Sequence, residues 1–144
     1  MKTKSGYLPF KFTPMNLTQI ALVVRDYDEA IHYYTTKLGF TLLENTPLSD
    51  TKRWVVVSPS AQNGCRILLA KAANEEQQSR IGNQTGGRVF LFLESRDFWD
   101  DYNRLTANNV IFTREPHREA WGTVAVFQDL YGNLWDLIGP VENK

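Results

Sequence analysis

What this 144-residue sequence has least of is cysteine: Cys65 is the only one. A single cysteine excludes an intrachain disulfide and a Cys-rich zinc site, and it fits a reducing cytosol. Charge of one sign is missing as well, since 16 Lys and Arg balance 16 Asp and Glu. With no net field and no basic stripe interleaved with aromatics, no nucleic-acid or anionic-membrane partner is expected. No apolar run approaches the ~20 residues that span a bilayer. The leader "MKTKSGYLPFKFTPM" has no apolar centre of a signal peptide. Phosphate cradles of the G-x-x-x-x-G-K-[ST] or G-x-G-x-x-G type, a G-x-S-x-G elbow and an H-E-x-x-H helix are also missing. These absences predict a cytoplasmic protein with no cofactor. Three fates are open for the leader, whose Phe10, Phe12 and Pro14 make it apolar: packing on the domain, packing on a second copy, or staying loose.

What is present fits one globular domain over residues 1–144, with 22% charged and 42% hydrophobic residues. "LTQIALVVRD", Leu17 to Asp26, is β-rich and of strand length. "DYDEAIHYYTTKLGF" then turns helical. Asp26 is the cap, Glu29 completes a capping-box pattern, and Tyr27, Ala30, Ile31, Tyr34 and Leu38 form one apolar face. Gly39 stands at the left-handed C-cap position. Three strands follow, "GFTLLEN", "RWVVVSP" and "CRILLAKA". After a polar linker, "RVFLFLESRDFWDDYNRLTANNVIF" repeats the pattern. Arg25-Asp26-Tyr27 matches Arg96-Asp97-Phe98; Asp97 is the cap, Phe98, Tyr102 and Leu105 are the stripe, and Asn108-Asn109 stands where Gly39 stood. "VIFTREP", "GTVAVFQD" and "NLWDLIG" complete the second unit. The chain therefore reads as an α+β tandem duplication of β-α-β-β-β modules. Module 1 covers about 16–72, a linker about 73–87 and module 2 about 88–140, giving about eight strands and two main helices. Each sheet would have one face covered by its helix and the other curving around a cleft.

With the duplication in hand, "IALVVRDYDEAIHYYTTKLGF" and "VFQDLYGNLWDLI" resemble the glyoxalase / bleomycin-resistance / extradiol-dioxygenase group, the vicinal-oxygen-chelate superfamily. The second segment is similar to that family's Asp-Pro-x-Gly-Asn-x-x-Glu ending, with Leu130-Tyr131 in place of Pro-x and Asp136 in place of Glu. The resemblance covers Leu17 to Pro140. It implies a glyoxalase-like fold, a homodimer, and, in metal-dependent members, an ion held by four strands. Those four positions fall here on Gln19, Leu68, Phe90 and Asp136. Leu and Phe offer no donor atom and Gln a weak one, so the set is poor for a divalent ion and the expectation is no metal. Strand alternation also places Arg88, Phe90, Phe92 and Glu94 on one face, which leaves a cruder oxygen cluster of Gln19, Glu94 and Asp136 as an alternative.

Other constellations are bland. Cys65 reads as an idle thiol and His32 as a surface imidazole. "EPHREAWG", Glu115 to Gly122, reads as a strand connection at the cleft mouth, where His117, Arg118 or Trp121 grips a ligand or Trp121 merely anchors a polar hairpin. The expected ligand-binding set is Gln19, Leu68, Phe90, Phe92, Glu94, Trp121 and Asp136, with Trp54 a further candidate. The function expected is a metal-free, small-molecule binding protein with an aromatic cleft and Asp136 as pocket acid. The partner is a small organic ligand, one bearing an amine or hydroxyl for Asp136. Two alternatives remain: a metal-dependent lyase, isomerase or dioxygenase using Asp136, Glu94, Gln19 and His117, or a metal-free enzyme with Asp136 as general base.

Overall fold

Residues 13–142 are described by a computed structural model of the chain, so Phe10 and Phe12 of the leader lie outside the described residues. The first module runs β1 (Gln19–Val24), α1 (Tyr27–His32), β2 (Thr41–Pro47), β3 (Arg53–Ser58) and β4 (Arg66–Lys71). A short helix α2 (Glu75–Gln78) opens the linker. The second module runs β5 (Val89–Glu94), α3 (Phe98–Ala107), β6 (Ile111–Glu119), β7 (Gly122–Gln128) and β8 (Leu134–Gly139). Each module makes a four-stranded sheet, ordered β1-β4-β3-β2 and β5-β8-β7-β6. The helix crossovers make β1·β4 and β5·β8 parallel, while every other pair is antiparallel. This is the α+β duplication that the sequence predicts.

The caps explain why the modules match. Asp26 Oδ2 accepts from Glu29 N at 2.9 Å, and Asp97 Oδ1 accepts from Asp100 N at 3.2 Å, each satisfying a helix-start N–H. The predicted capping box is only half made, because the Glu29 carboxylate turns instead to Arg25 and Tyr131. At the far end of α3, Asn109 takes a positive φ of 65°. Val110 N–H then bonds back to Leu105 O and Asn109 N–H to Thr106 O, which closes the helix. Helix α1 continues instead into one π-helical turn, Tyr33–Lys37, whose Leu38 N–H reaches Tyr33 O at 3.2 Å. Gly39, φ +78°, ends it one residue later in register than Asn109 ends α3. The extra π residue is the one-residue slip between the repeats.

A single core joins both modules. Leu22, Val24, Val55, Val57 and Leu69 face it from the first sheet; Ala125, Phe127, Trp135 and Leu137 face it from the second. Tyr34 of the π turn touches both, with its ring 6.1 Å from Trp135, and Phe40 lies 5.7 Å from the same indole. Trp135 in turn stacks on Phe127 at 5.7 Å. Much of the chain's aromatic content is thus spent on this seam, where each ring buries a large apolar area. Since the helix-covered faces of both sheets share one core, the open faces look outward on opposite sides. They do not enclose a common cleft within the chain.

The linker is fastened rather than idle. Val23 N–H donates to Gln84 Oε1 at 2.6 Å, and Gln84 Nε2 donates to Ala21 O at 3.2 Å. One side-chain amide thereby stands in for a neighbouring strand on the free edge of β1.

Candidate functional site

Strand register fixes what each open face carries. On the first sheet, the residues opposite the core side are Gln19, Ala21 and Val23 of β1, with Arg66, Leu68 and Ala70 of β4 beside them. Leu68 pairs next with Val56, and Trp54 and Ser58 flank Val56 along β3. Gln19 is therefore the ladder partner of Arg66. The Gln19 Oε1 is buried and finds no donor among the described residues. Leu68 and Trp54 line a groove of about 560 Å³ at the end of this sheet.

On the second sheet the outward row at the centre is Phe92, Asp136, Val126 and Arg114, one from each of β5, β8, β7 and β6. The next row is Glu94, Ile138, Val124 and His117. Asp136 is half-buried with no hydrogen-bond partner among the described residues. Burial pushes its carboxyl above the ordinary 3.8, and Arg114 and His117 partly oppose that rise. Phe92 beside it is 64% exposed. Glu94 and Trp121 share a second hollow of about 330 Å³ with Ile138 and Pro140.

The predicted site residues therefore fall into two groups. Gln19 and Leu68 stand on the outer face of the first sheet; Phe92, Glu94, Trp121 and Asp136 gather on the outer face of the second. The shared core separates the groups within one chain. Phe90 departs from the expected alternation. A register shift between Val89 and Leu91 breaks the β5 ladder there, and Phe90 packs against the core together with Leu91. The predicted connection "EPHREAWG" is mostly strand: His117 and Arg118 pair with Val124 and Thr123, which leaves a tight turn at Ala120-Trp121. His117 Nε2 lies 3.0 Å from Glu119 Oε2.

Sequence reasoning missed three charged residues. Arg66 and Arg114 follow from alternation, since each shares a face with a residue already singled out. Asp129, 2% exposed, is the buried acid of this segment. Its Oδ1 accepts the N–H groups of Tyr131 and Asn133 at 2.9 and 3.0 Å; its Oδ2 accepts Asn133 Nδ2 at 2.9 Å and the Tyr34 hydroxyl at 2.6 Å. The signal was present in "DLYGN", where an Asp three residues before the positive-φ Gly132 organises the turn by accepting backbone N–H groups. Asp129 thus sets the turn from which β8 and Asp136 emerge.

The four-strand metal position does not fit a divalent ion. Leu68 and Phe90 carry no donor atom, and Gln19 offers only a neutral amide oxygen. Among the described residues no three His, Cys, Asp or Glu side chains converge. A transition metal needs several nitrogen, sulfur or oxygen ligands on one centre.

Comparison with known proteins agrees with this architecture. The model of the Glyoxalase/Bleomycin resistance protein/Dioxygenase superfamily matches residues 16–137. A protein of Shewanella frigidimarina (strain NCIMB 400) is 57% identical over 124 residues, which are 85% of this chain and 92% of that one. The crystal structure of UcmS2 superposes with a TM-score of 0.77 at 28% identity, covering 88% of this chain and 98% of its own. TnmS3, an antibiotic binding protein from Streptomyces sp. CB03234, gives 0.71 at 24% identity over 90% and 98% of the two chains.

Proposed function

The chain belongs to the Glyoxalase/Bleomycin resistance protein/Dioxygenase superfamily, and from that premise we propose that it is a metal-free binding protein for a small organic ligand. One observation carries the reading. Of the four positions where metal-dependent members hold an ion, Leu68 and Phe90 have no donor atom, and Gln19 offers only a neutral amide oxygen beside the single carboxylate of Asp136. What the second face does offer is a ligand's complement: Asp136 without a partner, exposed Phe92 beside it, and Trp121 with Glu94 one row beyond. An amine or hydroxyl on the ligand satisfies Asp136, and the aromatic rings cover its apolar body. A structural neighbour that binds an antibiotic, TnmS3, supports the same reading.

A second copy of the chain completes the site. The outward faces each carry half of the predicted set, and the exposure of Phe92 and Trp121, 64% and 58%, is that of unpartnered surface. In a homodimer the first sheet of one protomer faces the second sheet of the other, which brings Gln19 and Leu68 opposite Asp136 in a cleft made twice. The buried, donorless Gln19 Oε1 gains a donor from the ligand or the facing protomer. Among the described residues no helix is long and apolar enough to cross a membrane, and the exposed free thiol of Cys65 suits a reducing cytoplasm.

The test is a thermal-shift screen of small amines, phenols and aromatic natural products against the wild-type chain and Asp136→Asn. Hits that stabilise the wild type and lose at least tenfold in affinity in the variant uphold the reading. Turnover of such a hit, or stabilisation by a metal instead, would overturn it.

A further inference from the structure

The groove at the end of the first sheet has a chemistry the Asp136 face lacks. At about 560 Å³ it is larger than the three other hollows described, which measure about 240, 320 and 330 Å³. It lies where β3 begins and β4 ends. Trp54, Leu68, Ala70 and Ala72 form its apolar wall, Thr51 and Gln77 its polar rim, and no Asp or Glu lines it. Three cations do: Lys52, Arg53 and Lys71.

Arg53 is already neutralised. Its Nη2 donates to Asp28 Oδ1 at 2.9 Å, and its guanidinium lies 4.7 Å from the Tyr27 ring centre. Lys52 and Lys71 make no ion pair among the described residues. The nearest acidic residues in sequence do not alter this. Asp50, Glu75 and Glu76 stand outside the lining, and Glu76 faces Arg80 at 3.4 Å. Two exposed ammonium groups without an ion pair therefore border a lining of indole and aliphatic side chains, whose Trp54 Nε1 donates to Glu44 Oε2 at 3.3 Å. An anion there is attracted by the two ammonium charges, and a planar body gains area against Trp54 and Leu68.

We propose that this groove takes the anionic end of a small organic ligand: a carboxylate, sulfonate or phosphate on a planar apolar body. The inference rests on the reading above, because Leu68 joins the groove to the outer face that the cleft uses. It extends that reading to an amphoteric ligand, anionic toward Lys52 and Lys71 and hydrogen-bond-donating toward Asp136.

The experiment titrates the full chain at low salt with 8-anilinonaphthalene-1-sulfonate and with uncharged N-phenyl-1-naphthylamine. The double variant Lys52→Glu/Lys71→Glu and the variant Asp136→Asn are run beside the wild type. Both lysines are exposed, and retained binding of the uncharged amine verifies the fold. The double variant is expected to weaken the sulfonate at least tenfold and the amine less than twofold. An equal effect on both probes, no effect on the sulfonate, or no sulfonate binding by the wild type overturns the inference. Loss of screen hits in Asp136→Asn, with sulfonate binding indifferent to the lysine charges, rejects the groove and keeps the Asp136 reading. Loss of sulfonate binding in the double variant, with Asp136→Asn silent in the screen, keeps the groove and rejects Asp136.

Discussion

The Tyr34 hydroxyl donates to Asp129 Oδ2 at 2.6 Å across 95 residues of sequence, tying the π turn of the first module to the β7–β8 turn of the second. Burial and this neighbouring carboxylate hold the Tyr34 hydroxyl protonated, well above its ordinary pKa. The bond matters because Asp129 has three other donors to satisfy, and both residues are buried. Removing one partner of a buried charged hydrogen bond costs about 1.5–3 kcal/mol. Removing the carboxylate strands several N–H groups at once, each at about 1–3 kcal/mol where it stays buried and unpaired. Tyr34→Phe should therefore lose less than Asp129→Ala in urea unfolding, and equal losses below 1 kcal/mol would contradict the tie.

A second tie runs through the linker. A Cβ on Gly82, φ +75°, would stand 1.8 Å from Tyr131 O, whereas one on Gly64, φ +98°, would meet nothing within 4 Å. Both substitutions force a side chain into the left-handed region, at about 1–2 kcal/mol. Only Gly82→Ala must also push backbone aside. Thermal unfolding should show Gly82→Ala clearly less stable than Gly64→Ala, and the same ordering should appear in hydrogen exchange around Tyr131. Equal Tm values would mean that the linker is not seated against the turn.

How much of this was legible beforehand follows from which interactions are local. Asp26, Asp97, Gly39 and the Asn108-Asn109 pair declared their helices because capping and left-handed turns act within a few residues. The strands declared themselves through alternation. Phe90 misled because a bulge in β5 breaks the period, and nothing local in "RVFLFLES" announces a bulge. The extent of β6 misled because Pro116, His117 and Arg118 look like loop, while His117 and Arg118 pair along an edge strand and Pro116 sits in its register shift. The outward direction of the two open faces depends on Tyr34 meeting Trp135, a contact 101 positions apart, so no window of sequence contains it. For the same reason Gln19 and Asp136 were expected in one cleft, although one chain holds them on two faces.

The charge state of Asp136 gives a pH signature. Its carboxyl is raised above 3.8, with burial the larger cause, so the fold disfavours its ionised form. The folded state then binds more protons than the unfolded one between 3.8 and the raised value, and stability falls as pH rises through that window. Above it the penalty is complete; below 3.8 both states are protonated and the penalty vanishes. Asp136→Asn is thus expected to raise Tm modestly at pH 7 and to leave it unchanged at the acid end. A lower Tm at pH 7 would mean that the carboxylate has a stabilising partner.

Dimerisation is expected to depend on the outer faces. Phe92 is central to the second sheet's open face and 64% exposed. Placing a carboxylate there sets it opposite Asp136, at up to about 1 kcal/mol in the free chain, and costs several kcal/mol more if an apolar partner face must cover it. Light scattering should give twice the chain mass for the wild type and a monomer, unchanged in circular dichroism, for Phe92→Asp. A wild-type monomer at high concentration would remove the shared cleft from the proposal.

The metal-free reading is tested most directly by isothermal titration of the chelator-treated protein with nickel, zinc, manganese and ferrous iron, with elemental analysis of the protein as purified. With Leu68 and Phe90 at two of the four positions, no ion should bind saturably and none should co-purify in stoichiometric amount. One ion per chain, bound by the wild type and lost in Asp136→Asn, would contradict the reading and make this a metalloprotein with a rearranged ligand set.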